Sequence, residues 1–429
     1  MKIRSFIQSK AKTLRVFDAL QDENFRLLWW ASWMWYHARW VEVTVLGWVV
    51  LVLTDSPFLV GLVGFFRMIP MPILGVIAGM VADRANRRYI SLGAQVVNIV
   101  SVAMLLLTLI FDFAEYWHIA MMTLTMGIAW TFDFPARRSV ITDLVGTNRV
   151  VNAMSMDMAA MTGSKMMGPI LGGALLATTS AEVAIFLLLI FYVFGAALLL
   201  RVHFPERQLL PEQSRPLKMI AEGFSYIRTN PVMLGVIVVT VIANMLLFPF
   251  VLMVPVFARD VLEIGPGLMG ILMAADGFGS MIGAVYLASR EPRDQGKIFV
   301  LGTTIAMGLV LGFSFSTVFG FSLLILFLEG LVIAGFGTMQ SAITLTVTPV
   351  AMRGRAMGVV MMAIGASPIG ILITGAVAEV WGAPVAIAIN STVALIAMVA
   401  VILGIPALRR FNFGEEKSRT NMAVELPMG

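Results

Sequence analysis

The chain has 429 residues, 59% hydrophobic and 13% charged, with a mean hydropathy of +0.90, whereas soluble domains carry about 25% charged residues. This excludes an ordinary water-soluble protein, and the lack of any cysteine excludes disulfides, iron–sulfur clusters and thiolate zinc sites. The formal charge of +5 comes from basic residues confined to short polar segments, the pattern of membrane topology rather than of a nucleic-acid partner.

In chain order, residues 1–26 are charged and amphipathic, lack a cleavable apolar core, and read as a cytoplasmic N-terminal tail. A helix needs roughly 20 apolar residues to cross the hydrocarbon. Runs of that kind fall at 27–53, 58–82, 89–111, 117–136, 150–178 and 183–201. Residues 202–231 form the longest internal polar segment, a cytoplasmic linker whose second half has the pattern of an amphipathic helix lying on the membrane face. Six more runs follow at 232–258, 267–289, 297–316, 321–345, 356–380 and 384–405, and residues 406–429 are a second cytoplasmic tail. The fold class is therefore an all-α membrane protein of twelve transmembrane helices.

Of the 30 basic residues, all but Arg39, Arg67, Lys165 and Arg259 lie in the tails, the linker or the even-numbered loops. Because translocation disfavours Lys and Arg in short outside loops, both termini are expected in the cytoplasm. The halves also echo one another. "DSPFLVG" (55–61) parallels "IGPGLMG" (264–270), and "TDLVGTNRVVNAM" (142–154) parallels "TPVAMRGRAMGVV" (348–360), with Thr142/Thr348 and Arg149/Arg355 at one offset. Two six-helix pseudo-repeat bundles, 27–201 and 232–405, are expected.

Charge inside a span costs about 2.5–3.5 kcal/mol on insertion scales, so each instance raises a functional hypothesis beside that of a structural ion pair between helices. Arg39 and Glu42 are three residues apart on the first span and able to neutralise each other. Asp157 and Lys165 are two turns apart on the fifth and able to face one cavity, while Arg67, Asp276 and Glu329 complete the set. Glu42 and Asp157 are the candidates for proton coupling, and Trp40, too deep for an interfacial belt, is a candidate substrate contact. The three histidines, at 37, 118 and 203, make no metal spacing, and no metal or cofactor is expected. Nor does any nucleophile, base and metal constellation of an enzyme stand out.

Three motifs narrow the reading. "GMVADRANRR" (79–88), between the second and third spans, resembles the signature of the major facilitator superfamily, matched at Gly79, Asp83, Arg84, Arg87 and Arg88, with Asn86 in place of the second glycine. That resemblance implies a cytoplasmic gate in which Asp83 contacts the N-terminus of the eleventh helix and nearby arginines. Asn86 is expected to preserve the tight turn by tolerating left-handed backbone. "GSKMMGPILGG" (163–173) is similar to the fifth-helix motif of the superfamily's exporters, at Gly163, Gly168, Pro169, Gly172 and Gly173. Glycines permit close helix approach, and proline removes a donor and kinks the helix.

The third match, "PARRSVITDLVGTNRVVNA", resembles the branch containing the enterobactin exporter and the macrolide efflux pumps, at Pro135, Ala136, Arg137, Asp143, Leu144, Val145, Arg149, Asn152 and Ala153. Two departures stand out. Where that branch commonly has G-D-W in the first helix, this chain has Ala38, Arg39 and Trp40, a base for an acid; and where the antiporter motif places Arg and Gln-Gly, it has Thr123 and Met126 before Gly127.

The resemblance implies a monomeric secondary transporter of the inner membrane that exports amphipathic small molecules of drug, macrolide or siderophore type by rocking of the two bundles, with H⁺ as driving ion. Two rivals remain open: an uptake symporter or facilitator of a polar or anionic solute, with Arg39, Arg67 and Lys165 as its charge-matching site, and a transporter-like sensor or assembly partner.

Overall fold

The structure is a computed structural model that describes residues 18–204, 216–290, 294–349 and 352–412. Parts of the expected tails and linker (1–17, 205–215 and 413–429) lie outside the described residues. The helices are α1 (Glu23–Thr54), α2 (Pro57–Met68), α3 (Pro70–Arg84), α4 (Arg87–Ile110), α5 (Tyr116–Thr178), α6 (Ala181–Arg201), α7 (Pro216–Thr229) and α8 (Pro231–Ile242). After a π turn at Ala243–Leu247 come α9 (Phe250–Asp260), α10 (Pro266–Ser289), α11 (Gln295–Ser314), α12 (Phe319–Ile333), α13 (Gly335–Val347), α14 (Arg353–Ile364), α15 (Ser367–Gly404) and α16 (Pro406–Arg409).

Local chemistry fixes many of these ends. Pro57, Pro70, Pro216, Pro231, Pro266 and Pro406 each stand first in a helix, where a missing N–H costs nothing. Asp22 accepts from the Phe25 amide at 2.9 Å, and Asn230 accepts from Val232 and Met233 at 3.1 Å, each satisfying amides that a helix start leaves unpaired.

Nine stretches among the described residues are long and apolar enough to span a membrane, one of them Arg353–Gly404 with 52 residues. Continuous helix of that length would run about 78 Å, and the 63 residues of α5 about 95 Å, against roughly 30 Å of hydrocarbon. Each is in fact two crossings, broken at Gly146 (φ 67°) and Gly382 (φ 82°), conformations that L side chains rarely adopt. Counting each of these two as a pair, the described residues hold segments for twelve crossings, the number expected from the sequence.

Burial is inverted relative to a soluble protein. On α4, Ser91, Gln95 and Asn98 are buried while Val96, Val100, Met104 and Leu107 are exposed. An apolar surrounding medium explains that pattern, since in water it would cost the burial of apolar area and leave polar groups dry.

The chain divides into two compact units. The first takes in the described residues within 1–55, 66–213 and 265–274; the second those within 56–65, 214–264 and 275–429. The segments 56–65 and 265–274 are thus exchanged between the sequence halves, and they overlap the echoed stretches 55–61 and 264–270. In the second unit a Cβ at Gly61 would lie 3.1 Å from Gly375 Cα; in the first a Cβ at Gly270 would lie 3.1 Å from Gly173 Cα. The repeat seen in the sequence is therefore also a repeat of glycine-on-glycine helix packing.

Helix α7, in the linker, docks by a side face onto α14. A Cβ at Gly223 would lie 2.8 Å from the Arg355 carbonyl oxygen, Ile227 is buried with Met233, Ala356 and Val359, and Glu222 pairs with Arg355 at 2.9 Å.

Candidate functional site

Several charged residues of the first unit gather in two groups along α1. In one, Glu42 accepts from Arg67 Nη1 in an ion pair, with the Tyr192 hydroxyl donating to the other carboxylate oxygen at 3.5 Å. Arg67 reaches Glu42 because Gly127 on α5 lies so close to the Arg67 carbonyl that any Cβ there would collide with it.

The expectation that Arg39 and Glu42 neutralise each other is not met. Glu42 is 1% exposed and turned to α6 and Arg67, while Arg39, about 60° round the helix, is only partly buried. The Arg39 guanidinium lies 4.8 Å from the Trp130 ring centroid, its Nη2 is 3.8 Å from Met68 Sδ, and its buried Nη1 has no hydrogen-bond partner among the described residues.

In the other group, Tyr36 donates to both oxygens of Asp157, at 2.9 and 3.1 Å. Nearby Arg137 donates to Asp133 at 2.6 and 3.1 Å and to Ser32 at 3.3 Å, and Arg137 and Arg138 are within electrostatic reach of Asp157. Lys165 meets a different residue, its Nζ 5.9 Å from the Trp40 ring. Asp157 and Lys165, two turns apart on α5, are thus matched to Tyr36 and Trp40, one turn apart on α1. Of the aromatic run on α1, Trp29 donates to the Met156 carbonyl at 3.0 Å and Trp35 is buried, so packing on α5 occupies part of it.

Asp133, Arg137, Tyr36 and Tyr192 were not singled out from the sequence as parts of a buried network. The acid and base of "DFPAR", four residues apart at the end of the fourth span, were the available signal; no periodicity marks the two tyrosines.

The other two charged candidates, Asp276 and Glu329, lie in the second unit, 5% and 1% exposed. Ser280 donates to Asp276 at 3.3 Å, and a Cβ at Gly330 would collide with the Asp276 backbone, so α10 and α12 cross beside both acids.

The gate motif sits at the turn from α3 to α4. Arg87 pairs with Asp143 and donates to the Ala82 carbonyl at 3.2 Å; Arg88 donates to the Leu200 carbonyl at 3.2 Å; Arg84 is exposed. The Asp83 side chain lies outside what the structure describes. Two motifs met separately in the sequence are joined here, since Asp143 belongs to the stretch after the fourth span. In the same stretch, Asn152 accepts from the Ala19 amide at 3.0 Å.

Asn86 differs from expectation. Its backbone is extended (φ −67°, ψ 112°) rather than left-handed, and its side chain accepts from the Arg88 amide at 2.9 Å as the cap of α4. Asparagine replaces glycine here by capping a helix, which needs a side-chain acceptor and no positive φ.

The fifth-helix motif is a packing surface on two sides. A Cβ at Gly172 would lie 3.2 Å from the Val41 carbonyl oxygen, one at Gly168 3.2 Å from the Trp40 carbonyl carbon, and one at Gly173 2.5 Å from the Pro266 carbonyl oxygen. A Cβ at Gly270 would collide with the Pro169 carbonyl, whereas Gly79 and Gly163 have nothing within 4 Å. Gly270→Ala is accordingly expected to cost about 1–3 kcal/mol by overpacking. Gly163→Ala, in open space on a helix, is expected to add up to about 1 kcal/mol. Size-exclusion recovery of the purified protein after stepwise heating checks both.

Residues 15–426 match the family described as "Transmembrane secretion effector". A staphyloferrin A transporter of Staphylococcus aureus is 23% identical over 359 residues, 82% of this chain and 89% of the relative. The multidrug efflux pump Tap of Mycolicibacterium fortuitum is 24% identical over 397 residues, 88% and 94% of the two. The solved nucleoside transporter NupG superposes with a TM-score of 0.68 at 13% identity, covering 91% of this chain and 100% of that one, a likeness of fold. With its family match spanning nearly the whole sequence, this integral membrane chain belongs to the transmembrane secretion effector family of major facilitator transporters.

Proposed function

We propose that the chain exports amphipathic small molecules across the inner membrane by proton antiport, as a monomer with both termini cytoplasmic. Residues 1–26, 202–231 and 406–429 are its cytoplasmic segments, and 27–201 and 232–405 the two bundles that rock about a central site. The observation that carries the exporter reading is the fifth-helix motif: Gly168 and Gly172 meet the backbone of α1 and Gly173 that of α10, so one short stretch couples two other helices. The efflux name of the Mycolicibacterium relative supports the same direction.

For coupling, Asp157 fits better than Glu42. Glu42 already has a guanidinium partner in Arg67, whereas the group bonded to Asp157 is a neutral hydroxyl that can donate to a carboxylate or accept from a carboxylic acid. Asp83 and Arg84, with Arg87 and Arg88 bracing the turn, are assigned to the cytoplasmic gate.

Everted membrane vesicles test this. With an acid-inside gradient of about one pH unit, one-for-one electroneutral exchange can concentrate a substrate about tenfold, since each factor of ten is about 1.4 kcal/mol. Vesicles containing the chain are expected to accumulate at least one of a panel of fluorescent amphipaths, and a protonophore to collapse the accumulation. Uphill movement in the opposite direction would establish the uptake reading instead.

A further inference from the structure

Resting on the transport reading, we infer that Arg39 is the docking point for a carboxylate on the transported molecule. The deciding feature is an imbalance of charge. Arg39 and Arg67 lie within electrostatic reach of each other, and among the described residues the acid of this group, Glu42, is taken by Arg67. One positive charge is left over, and Arg39 carries it.

What surrounds Arg39 is soft: an indole face, a thioether and no hydrogen-bond acceptor for Nη1 among the described residues. A guanidinium has five donors in a planar fork, and stacking on an aromatic face leaves the edge of that fork available. An indole and a sulfur keep a partly buried cation tolerable without matching it, whereas a carboxylate would meet the fork with two parallel charge-assisted bonds.

The depth of Arg39 separates a solute from a lipid. It is the seventeenth residue of α1 (Glu23–Thr54), about 24 Å along the axis from the helix start. A lipid headgroup would have to descend far into the hydrocarbon to reach it. The single excess charge also favours a monovalent carboxylate over a divalent phosphate, which would leave a negative charge unmatched at depth. The first helix carries Ala38-Arg39-Trp40, a base at mid-helix with its own ring neighbour. A base at this position favours anionic over cationic cargo.

The test uses purified full-length protein and two probes that differ by one charge, dansylglycine and its methyl ester. Energy transfer from tryptophan to the dansyl group reports binding, and everted vesicles report flux. A charge-assisted bond is worth about 1.5–3 kcal/mol, so the acid is expected to bind about ten- to a hundredfold more tightly than the ester. Arg39→Gln is expected to abolish that preference, with acid and ester bound equally. Arg39→Lys, which keeps the charge and loses the fork, is expected to fall between. Because the ester serves as an internal control, a misfolded variant is recognised by loss of both probes, and Arg39→Lys then decides.

Equal binding of acid and ester by the native protein, binding of neither, or a preference that survives in Arg39→Gln would each overturn the inference. An Arg39-dependent preference without flux in vesicles would uphold it and defeat the transport reading. Flux of both probes without preference would do the reverse.

Discussion

Arg67→Met is expected to lower stability by about 3–5 kcal/mol, the usual cost of removing one partner from a buried ion pair. Glu42 is 1% exposed, and its remaining contact, the Tyr192 hydroxyl at 3.5 Å, is too long to replace a guanidinium. The double variant Glu42→Gln/Arg67→Met is expected to regain most of that loss, because an uncharged pair of similar bulk no longer carries the desolvation of two ions. Thermal inactivation of the four proteins in one detergent, treated as a double-mutant cycle, measures the coupling. If the single variant is no less stable than the double one, Arg67 is not what neutralises Glu42. The nearest substitute would be Arg39, and a companion loss of the dansylglycine preference would identify it.

Asp157→Asn is expected to abolish proton-driven accumulation while sparing equilibrium exchange of substrate across the membrane. Accumulation needs a group that gives and takes a proton in each cycle; exchange of one substrate molecule for another moves no net proton and needs only the bundles to rock. Asparagine keeps the shape of the acid and a carbonyl acceptor for Tyr36, so the helix contact at 2.9 Å has a replacement. Everted vesicles with and without an imposed gradient separate the two activities. Loss of both would make Asp157 a structural residue, and retention of both would move the coupling elsewhere, Glu42 and the pair of acids in the second unit being next in line. Tyr36→Phe leaves the carboxyl in place and is expected to retain accumulation, which separates the proton from its hydrogen-bond partner.

Much of the architecture was legible because the bilayer simplifies the problem. Backbone groups without water must pair within their own helix, so apolar length alone marked twelve spans. Turn chemistry was legible too, as Pro57 and Pro266 show by opening equivalent helices in the two halves. The echo 55–61/264–270 marked segments that the fold then exchanges between its two units, although nothing in the sequence announced an exchange. Asn86 shows the limit of reading one residue by its propensities, since asparagine offers both a left-handed backbone and a capping side chain, and only the dihedral angles chose between them.

The site was legible as an inventory but not as a set of partners. The sequence by itself marked seven charged residues as candidates within spans, and which are acids and which bases. Which base meets which acid was decided by tertiary structure. Adjacency on α1 suggested that Arg39 would meet Glu42, yet Arg67 arrives from another helix because Gly127 lets α5 settle on its backbone, and Asp157 is met by Tyr36 across 121 residues of sequence. The physical reason is that helix periodicity fixes which side of a helix a residue occupies. The depth and rotation at which two helices lock are set by small-residue contacts distributed over both, and a buried charge takes whichever partner that locking brings within reach.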